Sequence, residues 1–431
     1  MSPLALGLDL GSSGLRLALA GAGVDGAVQL LIEHSAPYPR PFEDPQGWLE
    51  GLITLVARLD PQLRQQVCAI AIAGTSGTLL RCHRDGGLLQ GEAGLALPYQ
   101  LSCPEQTDAA RHLAGDPSSP AASPSGSLAR ALRLLAGPGA GNGDLILRHQ
   151  ADWLMGWLLG DWRWGEEGNN LRLGWGLRQQ RWAGTITQQP WAAELPQIRP
   201  SGERLGPLAS TAASTLGLPQ QCVVVAGSTD ANAAVLAADP QPGDGITVLG
   251  TTLVLKQFVE KPIQAAGVSC HRVAGRWLLG GASNAGAGIL RRFFSDAQIC
   301  ELSRQIDPDR PTGLDLLPLP CRGERFPVDD PELEPRLEPR PVSDALYLQA
   351  LLEGLTNLER QGWQRLRQLG APPLRRVISL GGGARNPQWR ALRQRALGVP
   401  VLQRPKRSAA LGMALLALRS GGRMEAATAA P

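Results

Sequence analysis

Two aspartates stand where an apolar run gives way to small residues. Asp9 ends the run Leu4-Ala5-Leu6-Gly7-Leu8 and precedes the turn Gly11-Ser12-Ser13-Gly14. Asp230 follows the short run Val223 to Ala226 and a loop read as Gly227-Ser228-Thr229. A carboxylate in such a place can hold Mg²⁺, usually through water, or accept a proton from an attacking hydroxyl. Asp230 has an equal claim to a plainer task. It opens the helical run Ala231 to Ala238, where an acid can cap the first turn. Asp9 lacks that option, because a charge buried at a strand end needs a partner.

The turns beside these aspartates suit anions. In Gly11-Ser12-Ser13-Gly14 the glycines let backbone N–H groups converge on a phosphate, and the serines add hydroxyl donors. The turn joins two strands and lacks Gly-Lys-Ser/Thr, so it is not a Walker loop. A second turn of the same kind, Gly250-Thr251-Thr252, gives it weight. Two such hairpins could grip one polyphosphate. Gly381-Gly382-Gly383, with Asn386 and Trp389 close behind, could carry a nucleoside on bare backbone or be a flexible loop. No Ser/His/Asp grouping stands out among the 5 histidines, so nucleophilic catalysis is not proposed.

The elements around these residues follow from periodicity. Leu4 to Asp9, Leu15 to Ala20 and Val28 to Ile32 read as a meander with tight turns, one of them at Val24-Asp25-Gly26. Trp48 to Leu59 has helical spacing and stops at Pro61, and Val67 to Ala73 is a buried strand leading into Gly74-Thr75-Ser76-Gly77. Helices are expected at Leu128 to Leu135, ending at Gly137-Pro138, and at Ala151 to Leu159. Seven tryptophans lie between Trp153 and Trp191. They could stack on sugars, but packing around irregular loops is the simpler expectation. Gly245 to Leu249 and Leu253 to Phe258 flank the second turn and repeat the opening pattern about 240 residues later, which suggests a duplicated domain. A helix-like run is expected around Ile289 to Phe294. Beyond a loop-rich stretch, Pro308 to Pro341, come a long helix at Leu346 to Leu369, a strand at Val377 to Leu380, helices at Trp389 to Leu397 and Ala409 to Leu418, and a strand at Val399 to Leu402.

Composition removes several classes. The chain has 431 residues with 43% hydrophobic and 19% charged, ordinary values for a folded protein of two or three domains. Its formal charge of +4 is almost all arginine, since only Lys256, Lys261 and Lys406 are lysines. Clusters such as Arg375-Arg376 and Arg404-Lys406-Arg407 lack interleaved aromatics, so nucleic acid is not expected. The 7 cysteines form no CxxC pair, which argues for reduced thiols and against zinc. No signal peptide is recognised, because Asp9 interrupts the first apolar run. No segment reads as a membrane span. The expected location is the cytoplasm.

Taken together these motifs resemble the FGGY family of carbohydrate kinases, within the actin–hexokinase–Hsp70 superfold. The carriers are Gly7 through Gly14, Gly74 through Thr78, Gly227 through Asp230, Leu249 through Lys256, Gly280 through Asn284 and Gly381 through Asn386. The stretches at Gly313-Leu314-Asp315 and Gly323 through Pro327 look like the short D-ribulose kinase (xylulose-kinase-like) branch of photosynthetic organisms. The resemblance implies an α/β fold of two actin-like (ribonuclease H-like) domains with an interdomain cleft. The sugar-binding domain would span residues 1–238 plus 411–431, and the nucleotide-binding domain residues 239–410. It implies ATP and a small sugar as ligands, Mg²⁺ on Asp9 and Asp230, no nucleic acid or membrane, and a monomer or homodimer. Asp230 would be the general base, and Asp9, Ser12 and Ser76 would join it in holding the sugar. The nucleotide would meet Ser12, Ser13, Gly14, Gly250, Thr251, Thr252, Gly281, Asn284, Gly381, Gly382, Gly383, Ala384, Asn386 and Trp389. The reaction implied is transfer of the γ-phosphate of ATP to the terminal hydroxyl of a pentulose, D-ribulose first. The alternatives are D-xylulose, a polyol, or a sensor without catalysis. Longer members carry a Trp-x-Asp-x-Arg stretch. Here that region reads Pro98-Tyr99-Gln100-Leu101-Ser102, without the Asp or Arg.

Overall fold

The computed structural model describes residues 3–23, 28–137, 143–404 and 407–421. The expected turn at Val24-Asp25-Gly26, the helix stop at Pro138 and the basic residue Lys406 lie outside them. The protein is α/β with two compact units, each built around a six-stranded sheet. One comprises residues 1–237, 272–275 and 408–431; the other comprises 238–271 and 276–407.

In the first unit, β1 (Leu4–Gly11), β2 (Gly14–Ala22) and β3 (Val28–Ala36) form the antiparallel meander. Helix α1 (Pro45–Ala57) follows, capped by Asp44. Strand β4 (Val67–Gly74) pairs parallel to β1. β1 and β4 are near-continuous apolar runs because both faces are covered. β3 is an edge strand with alternating exposure. β5 (Leu79–His83), after the loop at 75–78, leaves the main sheet and pairs with β6 (Leu145–His149). Between them lies α2 (Ser127–Leu135), and α3 (Gln150–Leu159) follows β6 directly. β7 (Arg204–Pro207) and β8 (Val223–Thr229) complete the main sheet. Here the reading is corrected. Gly227, Ser228 and Thr229 are no loop but the last residues of β8, and α4 (Asp230–Ala237) begins at once.

The second unit repeats the plan with a difference. β9 (Asp244–Leu249) is antiparallel to β10 (Leu253–Val259), just as β1 is to β2. β11 (Val268–Val273) and β12 (Arg276–Ala282) extend the sheet on that side, with β12 next to β10. The run expected as a helix near Ile289 is only a 3₁₀ segment, Ala287–Arg292. Helix α5 (Asp344–Gln368) is 25 residues long. β13 (Arg376–Leu380) lies parallel to β9, and α6 (Pro387–Leu397) and β14 (Val401–Gln403) follow. Each sheet therefore has a central strand antiparallel to its hairpin partner and parallel to a later strand, as a duplicated domain requires.

The chain then rejoins the first unit through α7 (Ala409–Gly421), buried along most of its length. Its seat is made of small residues, Ala18 and Ala20 of β2 and Ala237 of α4, which meet Ala410, Leu411, Ala414 and Leu415 of the helix. A Cβ on Gly7 would lie 2.0 Å from the Ala410 carbonyl oxygen, and one on Gly412 would lie 1.9 Å from that of Ala233. Bare backbone on both sides brings α7 onto β1 and α4. The opposite face of the sheet carries the larger core, including Leu6, Leu8, Leu15, Leu17, Trp48 and Leu52. Among the described residues no helix is long and apolar enough to cross a membrane.

Gly7→Ala is expected to force strand and helix apart, since neither clashing atom is a movable side chain. Overpacking of this sort costs about 1–3 kcal/mol or more, a fall of several degrees in Tm. Gly184, with no atom within 4 Å of an added Cβ, is the control. Gly184→Ala should change Tm little, and equal effects at the two positions would contradict the packing argument.

Candidate active site

In the first unit the hairpin register puts Arg16 of β2 opposite Asp9 of β1. The Arg16 guanidinium donates to Asp9 Oδ2 at 3.1 Å. Asp9 Oδ1 is buried and without a hydrogen-bond partner. Burial above all, and then the charge of Asp230, push the Asp9 carboxyl up to about 6, although Arg16 opposes them. Asp9 thus senses the charge of Asp230. Ser12 and Ser13 form the exposed tip of this hairpin, and Tyr38 donates its hydroxyl hydrogen to Gly11 O at 2.9 Å.

Asp230 is the first residue of α4 and half-buried. Its Oδ1 accepts only from the next N–H, that of Ala231, at 2.7 Å. The cap toward Asn232 N comes instead from Thr229 Oγ1, at 3.4 Å. The helix-capping role therefore goes to Thr229. Burial raises the Asp230 pKa, which makes its carboxylate a better proton acceptor.

Ser76 is half-buried in the loop at 75–78, which is held from behind. Thr75 and Thr78 share a hydroxyl contact of 2.6 Å. Gln150 Oε1 accepts from the Thr75 N–H at 3.1 Å and the Thr75 hydroxyl at 2.9 Å. Arg130, fully buried, donates to Gly77 O at 2.8 Å, to Tyr99 O at 3.1 Å, to Leu101 O at 2.6 Å and to Ser125 O at 3.0 Å. Its partners are all carbonyls, so it clamps three loops at once. Of the tryptophans, Trp153 packs edge-on against Trp48 and Trp175 against Trp182, as expected of packing residues.

In the second unit a cavity of about 670 Å³ gathers Gly250, Thr251, Gly382, Gly383, Asn386 and Trp389, with Arg291, Cys300 and Ser303. Thr252 stands beside it, its carbonyl accepting from Gly250 N at 3.2 Å, so that N–H is already spent. Gly381 and Gly383 let their loop lie on Leu249, and Gly383 also on Trp389, at distances no Cβ permits. Gly382 alone of the three faces open space. Asn386 caps α6 through the N–H groups of Gln388 and Trp389, both at 3.0 Å, and its amide donates to Ser303 Oγ at 2.8 Å. Trp389 is buried and donates to Thr356 Oγ1 at 3.1 Å. It serves as a wall of the cavity.

Five of the second unit's expected nucleotide residues, Thr252, Gly281, Asn284, Gly381 and Ala384, do not line that cavity. Ala384 is buried beneath its loop. Gly281 lies within β12 directly under the Phe326 ring. Asn284 donates to Gly323 O at 2.9 Å, and its own N–H to Glu324 Oε1 at 2.8 Å. It pins the segment at 323–326.

Residues 245–421 match the FGGY family of carbohydrate kinases, C-terminal domain. The first unit's strands lie outside that match. An L-fuculokinase from Escherichia coli (strain K12) is 25% identical over 223 residues, 48% of this chain and 45% of that protein. The chain thus spans less than half the length of the curated relatives it matches. The fold is shared with solved sugar kinases. A xylulose kinase from Rhodospirillum rubrum has a TM-score of 0.79 at 20% identity, covering 98% of this chain and 90% of that one. A Plasmodium falciparum glycerol kinase with ADP also reaches 0.79, at 14% identity, covering 97% and 90%. The FGGY model, the curated relative and these neighbours all carry kinase names. Within the FGGY-matched segment fall the hairpin at Gly250 and the glycine loop at Gly381. Asp9, Asp230 and the Ser76 loop do not.

The sequence singles out both aspartates and both hairpins but not Arg16, Tyr38, Arg130 or Gln150. Arg16 was within reach, because a tight hairpin fixes its pairing with Asp9. The others join the site across 27, 53 and 75 residues, and nothing local announces them.

The raised pKa of Asp9 gives a pH test. The folded protein holds this proton more tightly than the unfolded chain, whose carboxyl titrates near 3.8. The contribution favours folding below about pH 4 and is lost as pH rises through about 6. Asp9→Asn removes the charge, so its Tm should exceed the wild-type Tm at pH 8, by up to ~3 kcal/mol in stability. The gain should fade near pH 4. A gain of equal size at both pH values would show that ionisation is not its cause.

Proposed function

We propose that this chain is an ATP-dependent carbohydrate kinase of the FGGY type, transferring the γ-phosphate of ATP to the terminal primary hydroxyl of a pentulose. The observation that carries the reading is the buried Asp9 carboxylate, which feels the charge of the half-buried Asp230, in a chain whose residues 245–421 match that family. Such a pair suits a site that handles protons and cations.

Asp230, its basicity raised by burial, takes the hydroxyl proton of the sugar. The freed oxygen attacks the γ-phosphorus, a new O–P bond forms, the bond to the β-phosphate oxygen breaks, and ADP leaves. Such transfers depend on positioning and charge neutralisation. Asp9, with an unpartnered oxygen, and Asp230 are the residues that would hold Mg²⁺, and among the described residues no group of three or more His, Cys, Asp or Glu gathers to hold a metal ion. That donor set fits an ion which keeps waters and phosphate oxygens as its other ligands. Bound there, Mg²⁺ would neutralise phosphate charge. Ser12 and Ser13 at the hairpin tip and Arg16 at its base stand ready for the transferred phosphate, and Ser76 for the sugar. The nucleotide takes the cavity lined by Gly250, Thr251, Gly382 and Gly383.

D-Ribulose is the first candidate acceptor, as in the short ribulose kinase branch that the sequence resembles. The region at 98–102 supports a small polar set. It offers no Asp–Arg pair, and the carbonyls of Tyr99 and Leu101 are taken by Arg130. Each absent polar contact weakens rejection of other sugars. D-Xylulose is expected as a poorer substrate. ADP release from MgATP over pentuloses, pentitols and glycerol tests the reading. A kcat/KM ratio of D-ribulose to D-xylulose below one would overturn the acceptor, and no turnover with any of them would overturn the kinase.

Two substitutions test the parts. Asp230→Asn should lower kcat roughly 10²–10⁴-fold while ATP binding, followed by calorimetry, persists. Near wild-type turnover in that variant would remove Asp230 from the chemistry. A side chain at Gly250 meets only Thr252 O, at 3.6 Å, so it can be accommodated by the fold. Gly250→Val should therefore raise the KM for ATP with little change in Tm. An unaltered KM would remove this turn from the nucleotide site.

A further inference from the structure

Gln150 has no task in the mechanism above, yet it holds Thr75, the residue next to Ser76. It opens α3 and is fully buried. Its Oε1 takes both the N–H and the hydroxyl of Thr75. Only the oxygen end of an amide can accept an N–H, so the amide cannot be flipped, and Nε2 faces away from Thr75. On that side its polar neighbour is the Tyr38 hydroxyl, which also feels the charge of Asp9 and rests on Gly11 O. Nε2 itself is buried and makes no hydrogen bond of good geometry.

Asp9 Oδ1 is in the same condition. One is a donor, the other an acceptor, and Tyr38 neighbours both. Leaving either unpaired in the interior is costly. A sugar hydroxyl both donates and accepts, so a polyhydroxylated ligand can satisfy the two atoms where an apolar one cannot.

We propose that Gln150 is a specificity-determining residue of the acceptor site, its Nε2 donating to a hydroxyl oxygen of the bound sugar while Asp9 Oδ1 accepts a hydroxyl hydrogen of the same sugar. The inference rests on the carbohydrate-kinase reading. It makes Gln150 a two-ended residue. The oxygen braces the loop that presents Ser76, and the nitrogen reads the substrate. A site built to bond a hydroxyl rejects the analogue lacking it, because the site's own polar group is then left unpaired.

The test is a steady-state comparison of wild type and Gln150→Ala on D-ribulose and its monodeoxy analogues. Should the alanine variant fail to fold, Gln150→Met, of similar length, replaces it. The expected result is a loss of about 10-fold or more in kcat/KM with D-ribulose, carried by the sugar KM, with the KM for ATP within twofold of wild type. With one deoxy analogue, the one missing the hydroxyl that Gln150 contacts, the loss should vanish. A penalty equal for every analogue would mean that Gln150 only braces the loop, and no penalty would mean that it does neither. Either result overturns the proposal. A wild-type protein inert toward every sugar would instead overturn the kinase reading, and this inference with it, before any variant is compared.

Discussion

The first unit is organised around a carboxylate that its surroundings disfavour. Asp9 is 3% exposed, one oxygen is paired with Arg16 and the other is not, and a second carboxylate adds its repulsion. A fold selected for stability alone would place a neutral residue there. It is held because β1 cannot move. The strand is paired on both edges, covered by leucines on one face and pressed against α7 on the other through Gly7. The unfavourable charge and the rigid strand belong together, since a looser strand would relieve the repulsion by shifting away.

The same economy recurs in the loops. Each candidate loop is irregular backbone, and each is fastened by a side chain from a distant element. Gln150 and Arg130 hold the segment at 75–78, and Asn386 ties the start of α6 to Ser303. Glu324, buried, accepts from Ser283, at 2.5 Å, and from Asn284 N. Deeper in the second unit Arg393 bridges Glu359 of α5, at 2.7 Å, and Ser379 of β13, at 2.6 Å. Buried polar groups that are fully satisfied rigidify what they join. Loops fixed in this way can present Ser76 or Gly382 without the entropy loss of ordering them at each binding event.

What the sequence made legible was what depends on near neighbours. The two hairpins, the apolar runs of β1 and β4 and the long helix α5 all follow from local period and turn residues. So does the packing, rather than stacking, role of the tryptophans. In the sequence Gly227, Ser228 and Thr229 look like a loop, because small residues usually mark one. Here they are small because a Cβ on Gly227 would meet Ile72 O at 1.7 Å, a constraint set by a strand 155 positions away in the chain's order of pairing. Gly281 misled in the same manner. Its lack of a side chain makes room for Phe326 and says nothing about a nucleotide.

The duplicated hairpins show how one local pattern can serve two ends. In the first, Ser12 and Ser13 are exposed at the tip, the preceding carbonyl is held by Tyr38, and the paired Asp9 and Arg16 sit at its base. In the second, Gly250 turns its N–H inward to Thr252 O, its carbonyl accepts from Ala287 N at 2.9 Å, and the positions matching Asp9 and Arg16 carry no such ion pair but the apolar, mutually paired Val248 and Val254. The first hairpin therefore offers charge and hydroxyls, whereas the second offers shape, a close wall of backbone beside a cavity. Gene duplication would supply the same strand–turn–strand twice, but the residues flanking each turn decide its chemistry. A charged flank suits a group whose charge changes during reaction, and an apolar flank suits one that need only be held.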